Sequence, residues 1–231
     1  MKPITLAFGV ALLASTAALR GQAINLSAEQ AARAKAATEL RLGYAASKDY
    51  DPYNPAVADA EKTCSDLMKR KSFAAAVEEA ERGLRGDKYN IDLLIAKAAA
   101  LRALGKTAQA DEVRQQWTAL MDSILLSGDG KDFATAFRVI SVDEEYSVLR
   151  VMQIERVNQA LVEHDGSQFD VLSAKDPKTG KDFQLYFNID LPMQWLNAKF
   201  AKIGGPKPGP EPAGTAPASA PPTKEAAPRQ P

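Results

Sequence analysis

The sequence has very few of the residues that most often carry metal-binding and covalent chemistry. Among its 231 residues there is one cysteine, Cys64, and one histidine, His164. A single cysteine excludes an intramolecular disulfide, so the chain has no covalent cross-link even in an oxidising compartment. A single histidine excludes a multi-histidine metal site and leaves only one imidazole as a base. We therefore predict neither a bound metal nor a cofactor.

An excess of charge is lacking too. The 29 lysines and arginines equal the 29 aspartates and glutamates in number, and no basic cluster stands out. This balance argues against nucleic acid and anionic lipid as partners, because both attract a basic surface. A composition of 45% hydrophobic and 25% charged residues is that of a globular protein with a core.

Long apolar runs are absent after the N-terminus. Residues 4–19 form a short apolar run that follows Lys2 and precedes Arg20. This order is typical of a secretory signal peptide covering residues 1–23, with cleavage after Ala18 or Ala23. A run of roughly sixteen apolar residues is short for a membrane span, and no later segment is apolar enough for one. We expect export, cleavage and a periplasmic or secreted mature protein.

Residues 24–126 have the pattern of a helical region. Ser27 is followed three residues later by Gln30, a capping box that opens a helix to about residue 42. Asn54 before Pro55 places a cap residue ahead of a proline in the first helical turn. A loop at residues 44–55 therefore separates a first helix from those that follow.

Two segments of this region, residues 57–90 and 91–124, are similar to each other. Ala76 and Ala110 occupy equivalent places 34 residues apart, as do Cys64 and Ala98. This period and these small residues resemble tetratricopeptide repeats, which implies two antiparallel helical hairpins. The two segments also depart from that pattern: Ala60 and Leu94 replace its usual tryptophan, Ala80 and Arg114 replace the large residue of its second helix, and its closing proline is absent.

Residues 127–203 predict a small α+β domain with an antiparallel sheet, packed on the helical hairpins. Phe183, Leu185, Phe187 and Ile189 alternate with polar residues, which predicts a strand with one buried face. Further strands are expected at 137–142, 157–162 and 168–173, a helix or strand at 143–152 and a helix at 191–203. Residues 204–231 hold nine of the fourteen prolines and no large apolar residue, which predicts a disordered tail.

Residues 127–130, Ser-Gly-Asp-Gly, separate the two parts and supply the flexible glycines of a joint. They run into Thr-Ala-Phe-Arg-Val-Ile-Ser-Val-Asp-Glu-Glu-Tyr at residues 135–146. These residues, supported by Phe169-Asp170 and Tyr186-Phe187-Asn188, resemble the bacterial family called domain of unknown function 4919. The resemblance implies a shape for most of the chain without the tail, and no activity.

Two segments look like ligand loops and fail on spacing. Gly105-Lys106-Thr107 lacks the glycine five residues earlier that a phosphate-binding loop needs. Counted from Asp129, an EF-type calcium loop has Lys131 and Ile140 where oxygen ligands belong. A cap and a joint fit these segments better. An irregular cation site that Asp129 shares with Asp132, Glu144 or Glu145 stays open as an alternative.

Three further constellations are weaker still. Lys178-Thr179-Gly180 fits a hairpin turn, because the other serine β-lactamase motifs are missing. A thiol dyad of Cys64 and His164 is disfavoured because Cys64 holds a packing position of a helix. The adjacent carboxylates at 78–79 and 144–145 are expected on a solvated face, since neighbours in a helix or strand do not converge on one substrate atom.

The expected function is a non-enzymatic one: binding or scaffolding in the bacterial envelope, with a protein or peptide as partner. Helical repeats offer a concave surface between their first helices for such a segment. One alternative is an enzyme with an acidic site where the two parts meet; its candidate residues are Asp129, Asp132, Glu144, Glu145 and Tyr146. Another is a small-ligand binder with an apolar cavity behind Phe183, Leu185 and Phe187.

Overall fold

The computed structural model describes residues 26–176 and 179–203, so the predicted signal peptide and tail lie outside the described residues. Within them the elements follow in this order: α1 (Ala28–Ala45), α2 (Pro55–Lys69), α3 (Phe73–Leu84), α4 (Ile91–Ala103), α5 (Thr107–Leu125), β1 (Phe137–Arg138), α6 (Val142–Met152), β2 (Glu155–His164), β3 (Ser167–Lys175), β4 (Asp182–Asn188) and α7 (Asp190–Ile203). Five helices therefore precede a mixed unit of strands and helices, which confirms the predicted α+β class.

The predicted helix starts are confirmed by their caps. The Gln30 backbone N–H donates to Ser27 Oγ at 3.2 Å, and the Ser27 N–H donates to Gln30 Oε1 at 2.9 Å. This reciprocal pair is the capping box that opens α1. Asn54 accepts from the Ala56 N–H at 3.0 Å ahead of Pro55, the first residue of α2. Local sequence alone therefore fixes where these two helices begin.

The helices pack as two hairpins with a fifth helix at their side. Each of α2, α3 and α4 packs on the next helix, and α1 packs on α5. The turns inside the hairpins match: Lys71 and Gly105, 34 residues apart in the chain, both have positive φ, 59° and 76°. Cys64 and Ala76 are buried at the α2–α3 contact, as a close crossing of helices requires. Whether these hairpins belong to the tetratricopeptide family stays a prediction.

The sheet has the strand order β1–β4–β3–β2. β2 and β3 form an antiparallel hairpin through Asp165 and Gly166, and β3 and β4 are also antiparallel. The short β1 pairs parallel with β4, with Phe137 opposite Phe187. The sheet is thus largely antiparallel, as expected, with one short parallel strand at its edge.

The strand expected at residues 137–142 ends early. Only Phe137 and Arg138 are in β1, and Val142 already belongs to α6. Ser141 is the N-cap of this helix, and its Oγ accepts from the Glu144 N–H at 3.3 Å. Val139 and Ile140 lie beyond β1, although the Val139 N–H still donates to the Asn188 carbonyl at 3.3 Å. Both are buried, so their apolar character reflects the core.

One hydrophobic core joins the helical part to the sheet. It contains Tyr44 and Trp117 from the helices together with Phe137, Leu172 and Phe187 from the sheet. Two hydrogen bonds fix the chain around it: Trp195 Nε1 donates to the Tyr50 carbonyl at 2.7 Å, and the Tyr50 hydroxyl donates to the Ile140 carbonyl. The shared core holds the two parts in one fixed arrangement.

Candidate functional site

The joint at residues 127–130 is held by its own hydrogen bonds. The Asp129 and Gly130 N–H groups donate to the Thr135 carbonyl at 2.9 and 2.8 Å. A Cβ on Gly128 would come within 2.1 Å of that oxygen, so only glycine fits there. Ser127 Oγ accepts from the Arg138 N–H at 2.8 Å, which ties the joint to β1. The segment is a folded connection between α5 and the sheet.

The carboxylates of this loop are satisfied inside the loop. Asp129 accepts from Lys131 Nζ at 2.7 Å and from Thr135 Oγ1 at 2.6 Å, and these bonds lower its pKa to about 2. Asp132 accepts from the Thr135 N–H at 2.8 Å. In residues 26–176 and 179–203, no three histidine, cysteine, aspartate or glutamate side chains are grouped to hold a metal ion.

Glu144 forms an ion pair that links α6 to α1. Arg41 Nε donates to Glu144 Oε1 at 2.7 Å, and Arg41 Nη2 pairs with Glu144 Oε2 at 2.5 Å. Both side chains are almost fully buried, at 2% and 5% exposure. Ser123 Oγ accepts a further Arg41 N–H at 2.9 Å, and the Ile140 N–H donates to Glu144 Oε2 at 2.8 Å. Every charged atom of the pair therefore has partners, which burial of charge requires.

Three more carboxyls collect beside this ion pair. Asp143 is the second residue of α6, Glu61 belongs to α2 and Asp87 to the α3–α4 loop. Burial, then the charges of Glu61, Asp87 and Glu144, raises the pKa of Asp143 to about 7. Burial, more than its neighbours' charges, raises the pKa of Asp87 to about 6. We call Glu61, Asp87, Asp143 and Glu144 the acidic seam.

Glu145 lies on the other side of α6, against the sheet. It is fully buried, and neither carboxyl oxygen has a hydrogen-bond partner of ordinary geometry. Burial, then the charge and hydrogen-bonding carboxylate of Asp170 in β3, raises the pKa of Glu145 well above its usual value. Gln159 Nε2 donates to Asp170 Oδ2 at 2.8 Å. Burial and the neighbouring Asp170 therefore favour the protonated form of Glu145 over the charged one; we call the two residues the carboxyl pair.

The candidate residues chosen from the sequence lie at three separate places. Asp129 and Asp132 are in the loop after α5, Glu144 is in the seam, and Glu145 with Tyr146 faces the sheet. The Tyr146 hydroxyl donates to Gln159 at 3.2 Å. The expectation that Glu144 and Glu145 lie on a solvated face is wrong, because both are buried by contacts distant in sequence. Glu78 is exposed as expected, and Glu79 pairs at the surface with Arg82.

Five residues that belong to these clusters were missed from the sequence: Arg41, Glu61, Asp87, Asp143 and Asp170. Most of their partners are distant in sequence; Arg41 and Glu144, for example, are 103 positions apart. The one local signal was the acidic run at residues 143–145 at a helix start, which attracts attention to the first turn of α6.

The family resemblance rests on residues 127–146, which build the joint, β1 and the first turn of α6. A family model described as "Domain of unknown function (DUF4919)" matches residues 28–197. The chain belongs to the DUF4919 family. Neither the curated proteins nor the solved structures that were compared with it include a match. The DUF4919 match spans the helical part and the sheet together, in agreement with their shared core.

The other constellations do not assemble in this DUF4919 member. Cys64 is buried on α2, where its Sγ donates to the Ala76 carbonyl at 3.4 Å. His164 ends β2 and stacks on Phe133 at 4.2 Å, in a different cluster from Cys64. Gly105 lies in the turn between α4 and α5, and Thr107 is the first residue of α5. This segment therefore follows a helix and not the strand that a phosphate-binding loop requires. Lys178 of the third motif lies outside the described residues.

The sheet face considered for a small ligand is part of the DUF4919 core. Leu185 and Phe187 are buried there beside Leu172 and Ala174, and Trp195 of α7 packs against the same core. The protein's own side chains thus fill the space behind β4. No helix in the described part of the chain is both long and apolar enough to cross a membrane.

An open groove lies between α1 and α5, with a volume of about 300 Å³. Its floor is formed by the buried Ala37, Tyr89 and Leu120. Leu40, which is 56% exposed, stands on one wall. The rim of the groove carries three exposed polar residues, Arg33, Gln115 and Gln116. An apolar floor with a polar rim is the usual arrangement of a binding site. This groove is not between the first helices of the hairpins, where it was expected.

Proposed function

We propose that this DUF4919 protein is an exported, non-enzymatic binding module of the bacterial envelope, which holds a segment of another protein in the groove between α1 and α5. The observation that carries the proposal is the groove itself, an accessible apolar floor beside hydrogen-bonding side chains. α1 and α5 pack directly on each other, so the floor exists before any ligand arrives. A preformed site costs a ligand less ordering than one that must assemble.

The rim defines the chemistry of the segment. Arg33 pairs with Glu29 at 2.5 Å, but both side chains are largely exposed, and such pairs contribute about 0–1 kcal/mol. Its guanidinium can therefore exchange Glu29 for a ligand carboxylate at little cost. The amides of Gln115 and Gln116 match a peptide backbone, since each both donates and accepts. The favoured ligand is a peptide with a large apolar side chain next to an aspartate or glutamate.

The buried carboxylates support the non-enzymatic part of the proposal. Glu144 is tied up by Arg41, and Glu145 is enclosed between α6 and the sheet. Side chains enclosed in this way hold elements together and do not meet a substrate. Their burial fits a structural role for the acidic residues, which leaves the groove as the site of contact with a partner.

A peptide selection tests the groove. A phage-displayed library of random peptides is panned on the purified protein, and enriched sequences are measured by fluorescence anisotropy. We expect enrichment of an apolar residue beside a carboxylate, and at least about tenfold weaker binding to Ala36→Arg, which fills the groove, corresponding to about 1.4 kcal/mol. Ala31→Arg is the control, since Ala31 is an exposed alanine of α1 outside the groove lining. Equal binding to both variants would refute the groove.

Export is tested separately by fractionation. The full-length chain is expressed in a Gram-negative bacterium, and the periplasmic fraction is analysed by N-terminal sequencing. We expect the recovered protein to begin after Ala18 or Ala23, because a signal peptidase cleaves after small residues. Full-length protein confined to the cytoplasm would overturn the envelope assignment while leaving the groove assay unaffected.

A further inference from the structure

β2 is an edge strand with an unused hydrogen-bonding side. In the described residues it is the last strand of the sheet, paired with β3 on one side only. It runs for ten residues, Glu155–His164, and its six central residues, 157–162, carry no charge. Val157 in this stretch is 60% exposed. A long edge of this kind offers a row of unpaired backbone groups to another strand.

The charged residues of β2 and its one histidine lie at the two ends of the strand. Glu155 and Arg156 begin the strand, and Glu163 and His164 end it. When two copies of one strand pair antiparallel, the start of each lies opposite the end of the other. Such pairing brings Arg156 near Glu163 of the other copy and Glu155 near His164 of the other copy. Each contact occurs twice because the pair of strands is symmetric. Parallel pairing in register would set like charges against each other, which is unfavourable.

The register must also keep side chains on matching faces of the sheet. Gln159 lies opposite Leu172 and Leu161 opposite Asp170, so both point to the α6 face. Arg156 lies opposite Ala174 and points to the same face, because a bulge between Arg156 and Asn158 inserts one extra residue. Without that bulge, Arg156 would point to the opposite face from Gln159.

One antiparallel register satisfies both the faces and the charges. It centres on Ala160, which lies opposite its own copy, with Gln159 opposite Leu161 and Asn158 opposite Val162. Beyond the bulge the register shifts by one, as it does against β3, and sets Arg156 opposite Glu163 of the second copy. Glu155 then lies opposite His164 of the second copy. Ala160 is exposed and small, so the two copies can approach at the axis.

We propose that this protein forms a twofold-symmetric dimer in which β2 pairs antiparallel with β2 of a second copy, centred on Ala160. The two sheets join into one continuous eight-stranded sheet. Arg156 donates one hydrogen bond to Gln159, and a guanidinium has further N–H groups that can bind a carboxylate of the second copy. An interface of one strand pair is small, so the dimer is weak and depends on concentration.

Sedimentation velocity of the purified protein over a concentration series tests the dimer. We expect a monomer–dimer equilibrium for the wild type. Ala160→Glu places two like charges at the axis and weakens the dimer by about tenfold or more. Glu78→Arg on the exposed face of α3 is the matched control and leaves the dimer unchanged. A wild type that is monomeric throughout, or a dimer that survives Ala160→Glu, overturns the proposal.

A charge exchange between two chains identifies the register. Arg156→Glu alone opposes two glutamates, and Glu163→Arg alone opposes two arginines, so each variant is expected to be largely monomeric. When the two variants are mixed, both pairs between positions 156 and 163 unite arginine with glutamate, and a heterodimer forms. Circular dichroism checks that each single variant is folded. Folded single variants that stay monomeric when mixed would exclude the register centred on Ala160.

Discussion

Glu144 and Glu145 are neighbours on α6, and their surroundings could hardly differ more. Glu144 faces the helical part, where Arg41 meets both of its oxygens and the Ile140 N–H adds a third bond. Glu145 faces the sheet, where its oxygens lack a donor and the nearby charge is another carboxylate, Asp170. Successive residues of a helix point about 100° apart, so adjacent identical side chains enter different environments.

The two environments solve the burial of a carboxyl in opposite ways. On the helical side the charge is kept and compensated by a guanidinium. On the sheet side the charged form is disfavoured, because burial raises the pKa of Glu145 well above its usual value. α6 thus turns a compensated charge toward the helices and a carboxyl that favours its neutral form toward the sheet. The same substitution at these two positions should therefore have opposite consequences.

The largest expected effect comes from the ion pair. Arg41→Met keeps much of the side-chain volume and leaves Glu144 buried without its partner, which should lower the free energy of unfolding by about 3–5 kcal/mol in urea titrations. Arg33→Met on the same helix removes only an exposed ion pair, so a loss of about 1 kcal/mol or less is expected. Adding Glu144→Gln to Arg41→Met should restore part of the loss. Equal costs for Arg33→Met and Arg41→Met would contradict a structural role for the pair.

Glutamine at the two neighbouring positions sharpens the contrast. Glu144→Gln leaves Arg41 buried and uncompensated, so the protein should be strongly destabilised. Glu145→Gln replaces the carboxyl by a neutral amide of similar size beside Asp170. The raised pKa of Glu145 makes its ionisation unfavourable in the folded protein. The free energy of unfolding therefore falls as pH rises above about 4.3, the ordinary pKa of a glutamate in the unfolded chain. Glu145→Gln should therefore be more stable than wild type at pH 8 and similar to it at pH 4. A loss of stability as large as that of Glu144→Gln would break the comparison.

Much of the local structure follows from short sequence patterns. The capping box at Ser27, the Asn54–Pro55 start and the alternation along β4 are all as predicted, because each depends on residues within one turn or strand. Residues 137–142 were misread because Val139 and Ile140 are apolar for the core and not for a strand. Ser141, the cap that starts α6, was the local signal against a strand there.

The environment of a buried carboxyl cannot be read in the same way. Nothing near Glu144 in the sequence indicates that Arg41 of α1 will reach it, since only tertiary packing brings the two together. The seam partners Glu61 and Asp87 come from two further elements. The sequence therefore led to the acidic run on α6 but not to the opposite fates of its members.

The joint that positions α6 is expected to be less sensitive than the ion pair. Gly128→Ala would place a Cβ against the Thr135 carbonyl, so the loop must shift, at a cost of about 1–3 kcal/mol. Gly43→Ala is the control: it lies in α1 with no atom near the added methyl and should gain about 0.5–1 kcal/mol. Thermal unfolding of the two variants gives the comparison. A harmless Gly128→Ala would mean that the loop adapts freely.

Asp143 offers the finest test, because it lies in the seam but is only partly buried. Its pKa is raised to about 7, above the unfolded value near 3.9, so its contribution is present below pH 4 and is lost as pH rises to 7. Asp143→Asn should flatten the decline in unfolding free energy between pH 4 and 7, by less than about 1.4 kcal/mol per pH unit because water screens a partly exposed group. An unaltered slope in Asp143→Asn would show that the seam does not act as one group of interacting carboxyls, and the contrast between the two sides of α6 would then rest on Glu144 and Glu145 alone.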